Sequence, residues 1–348
     1  MKNFKILAVL IVFVGFTYWG IEPYAHHVFH PKAPPVDFAF SDLYPTLDKD
    51  GVEAERNRIK GLIANADIAV GTATYRDLCA PCHIMENTGI VMSAQDLITT
   101  YGLLPPDLSN ATSIYDEVFL FEAIKDFSSA ALIAPHTARQ NALLPTEAEA
   151  LIEAHPNMTQ EEAQETANQK VQKAVTSYAE KIQANFTTMT PYVYAFTEEQ
   201  IASILGFLKS QAKPIAEIDA KSIAVNACAR CHSFKYDKVA LQASVDRLKP
   251  YLGVDAPPPD LSMMIRSKGA DYLNTFINNP QKHLLGTAMP RVGLSKEAQE
   301  KVVEYIDQIG DPKKGERGRM GVVFVIYFLL LSVLAYMWKH NEFEEIGK

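Results

Sequence analysis

The pentapeptide Cys228-Ala229-Arg230-Cys231-His232 occurs a second time as Cys79-Ala80-Pro81-Cys82-His83, and the two copies use all 4 cysteines of the chain. Cys-x-x-Cys-His is the spacing of a c-type haem attachment site. Two thiols one helical turn apart each form a thioether with a haem vinyl group, and the next histidine gives the iron its proximal nitrogen. Zinc ribbons place their cysteine pairs about 15–20 residues apart, whereas Cys82 and Cys228 are separated by most of a domain. Thioredoxin-like Cys-x-x-Cys pairs sit near a βαβ pattern, which neither copy shows. A histidine follows both pairs although the chain holds 9 in 348 residues. The expectation is therefore two covalently bound haem c groups.

The chain is long enough for two or more domains. A formal net charge of −8 lacks the basic balance of a nucleic-acid binder. Near the start, the uncharged run Ile6 to Ile21 follows Lys2 and Lys5 and ends on Tyr18-Trp19-Gly20. It has no small-x-small cleavage site, and aromatics favour a membrane interface, so an uncleaved anchor is expected over a cleaved signal. Near the end, Met320 to Trp338 is uncharged and spans about 28 Å as a helix, enough for a bilayer. Lys313, Lys314, Arg317 and Arg319 precede this run and only Lys339 and Lys348 follow it. The positive-inside tendency would place the first group in the cytoplasm. Haem attachment takes place outside the bacterial cytoplasm, so the haem motifs are given precedence over that count. His26, His27 and His30 between the first run and Pro35 are read as solvated linker residues rather than metal ligands.

Each cysteine motif is followed by the same five residues, Pro105-Pro106-Asp107-Leu108-Ser109 and Pro258-Pro259-Asp260-Leu261-Ser262. Two motifs in the same order define an internal repeat, and the prolines give each copy a rigid backbone wall beside a haem edge. A helix over Ala66 to Leu78 is expected to run into the first motif, after an amphipathic helix over Val52 to Ile63. Aromatic-rich helices follow over Ile114 to Phe127 and Tyr272 to Asn279 as core and pocket walls. Between about Ser128 and Phe186 the first copy carries an insertion. There Thr159 with Glu162 reads as a capping box, and Ala163, Val171, Ala174, Val175, Tyr178 and Ile182 form a stripe expected to pack on the first domain.

Each repeat closes on a methionine and a capped helix. Met289 precedes Ser295 and the helix through Ala298, Val302, Tyr305 and Ile306. Met189 precedes the capping box Thr197 to Gln200 and the stripe Ile201, Ile204, Leu205 and Leu208. A thioether favours ferrous iron and raises the potential of a His-ligated haem. Met289 is thus expected opposite His232 and Met189 opposite His83. Met85, Met92 and Met158 compete with Met189, and His136, His155 and His283 are read as surface or core residues.

With these pieces in place, the chain resembles two class I cytochrome c domains in tandem, an all-α fold with an N-terminal and a C-terminal transmembrane helix. It is also similar to the c-type cytochrome subunit of a bacterial quinol–cytochrome c oxidoreductase, the cytochrome bc complex, in its di-haem form. The residues that carry this are Pro258 to Ser262 followed by Arg266, Lys268, Gly269, Asp271 and Tyr272. The resemblance implies that Lys268 neutralises a haem propionate, although the family usually has arginine there and lysine lacks its planar fork.

The expected organisation is an anchor over 1–21, a linker and helix over 22–65, a first cytochrome domain over 66–212 with its insertion near 128–186, a second over 213–312, a transmembrane helix over 320–338 and a cytoplasmic tail over 339–348. The resemblance implies an electron-transfer subunit that is not an enzyme on its own. It would sit in the inner membrane with its haem domains on the periplasmic face. Its partners would be cytochrome b, a Rieske iron–sulfur protein, and a soluble cytochrome c or oxidase as acceptor, in a dimeric complex. The alternatives are the di-haem subunit of a cbb-type haem-copper oxidase and a di-haem cytochrome c peroxidase.

Overall fold

Asp67 and Asp219 start the two helices that lead into the cysteine motifs. Asp67 Oδ1 accepts hydrogen bonds from the amides of Ala69 and Val70, at 2.9 and 3.1 Å. Asp219 Oδ2 accepts from the amide of Ser222 at 2.9 Å. Such N-caps satisfy amides that the first turn leaves unpaired and are worth about 1 kcal/mol each. In this computed structural model, the residues described are 2–29, 32–44, 46–127, 130, 147–186, 196–244, 246, 258–284, 287 and 289–346. Among them, β-type pairing amounts to four isolated bridges.

The two approach helices differ. The second, Ala220–Cys228, is regular. The first is shorter than the sequence suggests: Ile68–Thr74 is α-helical, and Tyr75–Cys79 widens into a turn closed by the Ala80 amide on the Tyr75 carbonyl at 2.9 Å. The hydroxyls of Thr72 and Thr74 donate back to the carbonyls of Ile68 and Val70, a competition that loosens and bends helices.

Each repeat is closed by a helix laid across its approach helix. Glu198–Gln211 carries the expected capping box between Thr197 and Gln200, and Lys296–Gly310 is capped by Ser295. In the first repeat the backbones nearly touch. A Cβ on Gly71 would lie 1.9 Å from the Ser203 carbonyl oxygen, so only glycine fits at this crossing. Tyr75 then packs on Phe207 with the rings tilted at 48° and their centroids 5.4 Å apart. In the second repeat, Ile223, Ala224 and Ala227 are buried on the approach helix, and Val302 and Ile306 on the closing helix. One apolar core runs through both repeats, from Ile201 and Leu205 to Ile223 and Val302. Burying side chains of this size stabilises by about 1.5–3 kcal/mol each.

Two other expected helices are trimmed by capping. The segment from Ile114 to Phe127 splits into Ala111–Ile114 and Glu117–Lys125, because Asp116 Oδ1 accepts from the amides of Val118 and Phe119. The segment from Tyr272 to Asn279 forms Ala270–Phe276, preceded by Gly269 at φ 83°. In the insertion, Glu162 and Thr159 form the capping box of the helix Gln160–Phe186. Its buried Ala167 and Val171 pack on Ala148 and Leu151 in a cluster of their own, not in the core of the first repeat. The stripe residues Ala174, Val175, Tyr178 and Ile182 have side chains outside the described set.

The segment from Ala33 to Tyr44, expected as linker, is instead a strap across both repeats. Val36 and Ala33 pair with Asn274, Asn278 and Asp271 of the second repeat. Phe38 lies edge-on to Phe119 of the first at 5.1 Å, and the Tyr44 hydroxyl donates to Glu122 at 2.8 Å. The buried Arg291 guanidinium holds the strap from the other side, donating to the Ala39 carbonyl and lying over the Phe38 ring. Two helical stretches, Lys5–Ala25 and Lys314–Phe343, are long and apolar enough to cross a membrane, and neither is covered by the rest of the chain.

Candidate haem-attachment sites

In both copies the cysteine motif is wound into one tight turn at the end of its approach helix. The amides of Cys82 and His83 both donate to the Cys79 carbonyl, at 3.1 and 2.8 Å. The amides of Cys231 and His232 donate to the Cys228 carbonyl, at 3.0 and 2.9 Å. This winding sets the two sulfurs about one turn apart with the histidine immediately beyond them.

The histidines are then oriented by the repeated proline run. His83 Nδ1 lies 3.0 Å from the Pro106 carbonyl oxygen, and His232 Nδ1 lies 2.8 Å from the Pro259 carbonyl oxygen. A carbonyl only accepts, so each Nδ1 carries the hydrogen and each Nε2 keeps its lone pair. Burial holds both imidazoles below the ordinary histidine range, which keeps that lone pair available. A metal-ligating histidine is characteristically fixed by such a hydrogen bond to a backbone carbonyl.

The proline run is held by the rest of its own motif. Asp107 Oδ1 accepts from the Ser109 amide and hydroxyl, at 2.8 and 2.6 Å. Asp260 Oδ1 accepts from the same groups of Ser262, at 3.2 and 3.0 Å. The serine hydroxyls in turn receive the amides of Asn87 and Tyr236. The Leu108 and Leu261 amides donate to the carbonyls directly after the histidines, Ile84 and Ser233. Short antiparallel bridges, Met85 with Ile90 and Phe234 with Val239, close the loop after each motif. Met85 and Phe234 are both fully buried in the core. Met85 thus serves as a packing residue where the second copy has a phenylalanine.

The alternatives weighed from the sequence find less support in this geometry. Among the described residues, no group of three or more His, Cys, Asp or Glu side chains converges as an ion cage. Burial pushes the Cys79 thiol up to about 11 and the Cys228 thiol up to about 12, opposite to the depressed value of a redox-active Cys-x-x-Cys. The residues do fit a covalently attached haem: paired thiols on one turn and a neutral imidazole with a free Nε2. In addition, the Arg230 Nη1 is buried without a hydrogen-bond partner among the described residues, a cation suited to an anionic group such as a haem carboxylate.

The remaining expected site residues are placed unevenly. Met289 is half-buried, its amide donating to the Thr287 hydroxyl at 3.3 Å. Lys268 is exposed, with its ammonium 5.5 Å above the Tyr272 ring. Met189 and His136 lie outside the described residues. His155 and His283 are exposed, as read from the sequence. Two parts of the site carried no individual signal in the sequence, the accepting carbonyls of Pro106 and Pro259 and the Asp–Ser clamps. The repeated proline motif pointed to their location without showing what it does.

A helical repeat that fixes a buried histidine against a proline carbonyl beside two paired cysteines is the geometry a c-type cytochrome domain requires. The Cytochrome c family model matches residues 218–310, which span the second motif, its proline run and its closing helix. This region is a cytochrome c domain, a module that carries covalently bound haem and transfers electrons rather than acting as a catalyst. No curated protein and no solved structure matches the chain.

Proposed function

We propose that the chain is a membrane-anchored di-haem cytochrome c that relays single electrons on the outer face of a bacterial inner membrane. The observation that carries the second haem is the duplicated geometry. The region around Cys79 reproduces, bond for bond, the histidine–proline–aspartate–serine network of the cytochrome c domain around Cys228. When bound, each haem would supply the one-electron redox chemistry. The chain supplies two sulfurs for attachment, an oriented imidazole, and burial. Met289 and Met189 are the proposed sixth ligands, and Lys268 the proposed propionate partner.

The wider reading is an electron-transfer subunit of a quinol–cytochrome c oxidoreductase. It would take electrons from a Rieske iron–sulfur protein and pass them to a soluble cytochrome c or an oxidase, within a dimeric complex that includes cytochrome b. Its support is the Pro258 to Tyr272 segment together with a helix beyond the cytochrome domain that is long enough to span a bilayer. Purification of the complex from native membranes is the test. Cytochrome b and a Rieske subunit in the same particle are expected; a copper-containing oxidase core would overturn this assignment.

A further inference from the structure

The two attachment segments meet directly, and one side chain joins them. Asn226 stands two residues before Cys228 on the helix Ala220–Cys228. Its Nδ2 donates to the Asp107 carbonyl at 2.8 Å, and its Oδ1 accepts from the Tyr115 hydroxyl at 3.1 Å. Asp107 follows Pro106, whose carbonyl accepts the His83 Nδ1–H. From the first imidazole to the side chain of Asn226 there are thus two hydrogen bonds and one residue of main chain, and Ala227 alone separates Asn226 from Cys228.

The contact around this path is closed on several sides. The amides of Leu104 and Ser244 donate across the seam to the carbonyls of Gln242 and Gly102, both at 2.8 Å. The Gln242 amide ties the same strip to the Ala229 carbonyl inside the second motif at 2.7 Å. On the far flank, the amides of Asp116 and Ser295 exchange with the carbonyls of Gly293 and Ile114, both at 2.9 Å. Gly293 takes φ 71°, and a Cβ there would lie 2.1 Å from the Phe119 ring. The seam is therefore built to a close fit rather than left as a loose junction of two domains.

We infer that Asn226 is the bridging residue for electron transfer between the two haem sites, a positioning role that links the ligand arm of one site to the attachment helix of the other. With haem held at both sites by His83 and His232, the transfer would move one electron from the reduced to the oxidised site, with no bond made or broken and no proton moved, and Asn226 would supply the link between them. The inference rests on the two-haem reading given above. An electron tunnels more readily along a continuous path of covalent and hydrogen bonds than across a gap, and hydrogen bonds in a low-dielectric interior are strengthened by polarising one another. An asparagine donating to a buried carbonyl supplies such a link, and an apolar residue of similar size does not.

The test uses the full-length holoprotein in detergent, with the rate of inter-haem electron equilibration followed after flash photoreduction. Haem content and both midpoint potentials are measured on the same samples. Asn226→Leu removes both hydrogen bonds of the side chain. Asn226→Ala removes both hydrogen bonds with a smaller, uncharged side chain, and it serves where the leucine variant fails to assemble. Tyr115→Phe leaves the Asp107 link intact. The expected result is a several-fold slower equilibration in the Asn226 variants, with both haems present, unchanged potentials, and a wild-type rate in Tyr115→Phe. An unchanged rate in the Asn226 variants would overturn the inference, as would an equal slowing in Tyr115→Phe, which would point to general opening of the seam. A wild-type protein carrying one haem would instead remove the two-haem reading itself, a separate and visible failure.

Discussion

The two repeats hold their histidines by the same bonds but reach them by different routes. The second arrives on a regular helix, Ala220–Cys228, and carries its proline run and closing helix without interruption. The first arrives through the widened turn Tyr75–Cys79 and pushes its closing helix, Glu198–Gln211, far down the chain behind an insertion. The comparison separates what the attachment site requires from what surrounds it. The turn of the motif, the carbonyl behind the histidine and the Asp–Ser clamp are retained in both. The approach helix and the connection to the closing helix are free to vary. The family match to residues 218–310 falls on the repeat that has no insertion.

The largest effects should come from the thiols. Replacing Cys228 and Cys231 by alanine is expected to remove one haem and leave the other, and replacing Cys79 and Cys82 should do the converse. Denaturing mass spectrometry checks this. A chain that keeps its full haem content in either double variant would break the equivalence of the repeats.

Next come two glycines that compare the inside of one repeat with the seam between them. Gly71→Ala forces a methyl against the Ser203 carbonyl, and Gly293→Ala forces one into Phe119 while keeping φ 71°. Overpacking and an unfavourable backbone region each cost about 1–3 kcal/mol. Both variants should lower the denaturation midpoint of the holoprotein, with Gly293→Ala the worse because it incurs both penalties. Equal midpoints would mean that the seam yields more readily than its contacts indicate.

Smaller effects are expected at the clamps. Asp107→Asn and Asp260→Asn should each cost about 1 kcal/mol, the worth of a buried hydrogen bond. A pH dependence belongs to Asp260. Burial acts to raise its carboxyl, but the Lys235 and Ser262 amides and the Ser262 hydroxyl hold it below the ordinary value. A depressed carboxyl contributes stability that is fully present above its unfolded value, near 4, and is lost as pH falls through the folded one. Denaturation midpoints measured from pH 6 down to pH 3 should fall less steeply in Asp260→Asn than in wild type.

The smallest expected change concerns the strap. Burial raises the Glu122 carboxyl above the usual range despite the Tyr44 hydrogen bond. A raised carboxyl loses stability as pH rises through its folded value. Glu122→Gln should therefore match wild type in acid and be modestly more stable at neutral pH. A less stable variant at neutral pH would show that the ion, not the neutral acid, is what Tyr44 holds.

The turn of each motif was legible in the chain, because its spacing is fixed by a single turn. Cys79, Cys82 and His83, like Cys228, Cys231 and His232, close one turn as their order implies. The closing helices were legible as well, since Thr197 and Gln200 cap one and an i, i+3, i+4 stripe faces the core. Contacts made by main-chain carbonyls were not legible. Nothing in Pro106 or Pro259 as a residue type says that its oxygen receives a histidine hydrogen. The strap from Ala33 to Tyr44 was also hidden, because its pairing partners, Asn274, Asn278 and Arg291, lie more than two hundred residues away. The insertion stripe had the right period for a buried face, yet periodicity does not specify which surface covers it. Its Val171 is covered by Ala148 and Leu151.

The central claim is that both repeats are haem-attachment sites, and the intact mass of the full-length protein purified from its native membrane tests it most directly. The account predicts a chain heavier by two covalently bound haems, with peptides around Cys79 and around Cys228 each carrying one. A mass increase of a single haem, located at Cys228 with free thiols at Cys79 and Cys82, would contradict it.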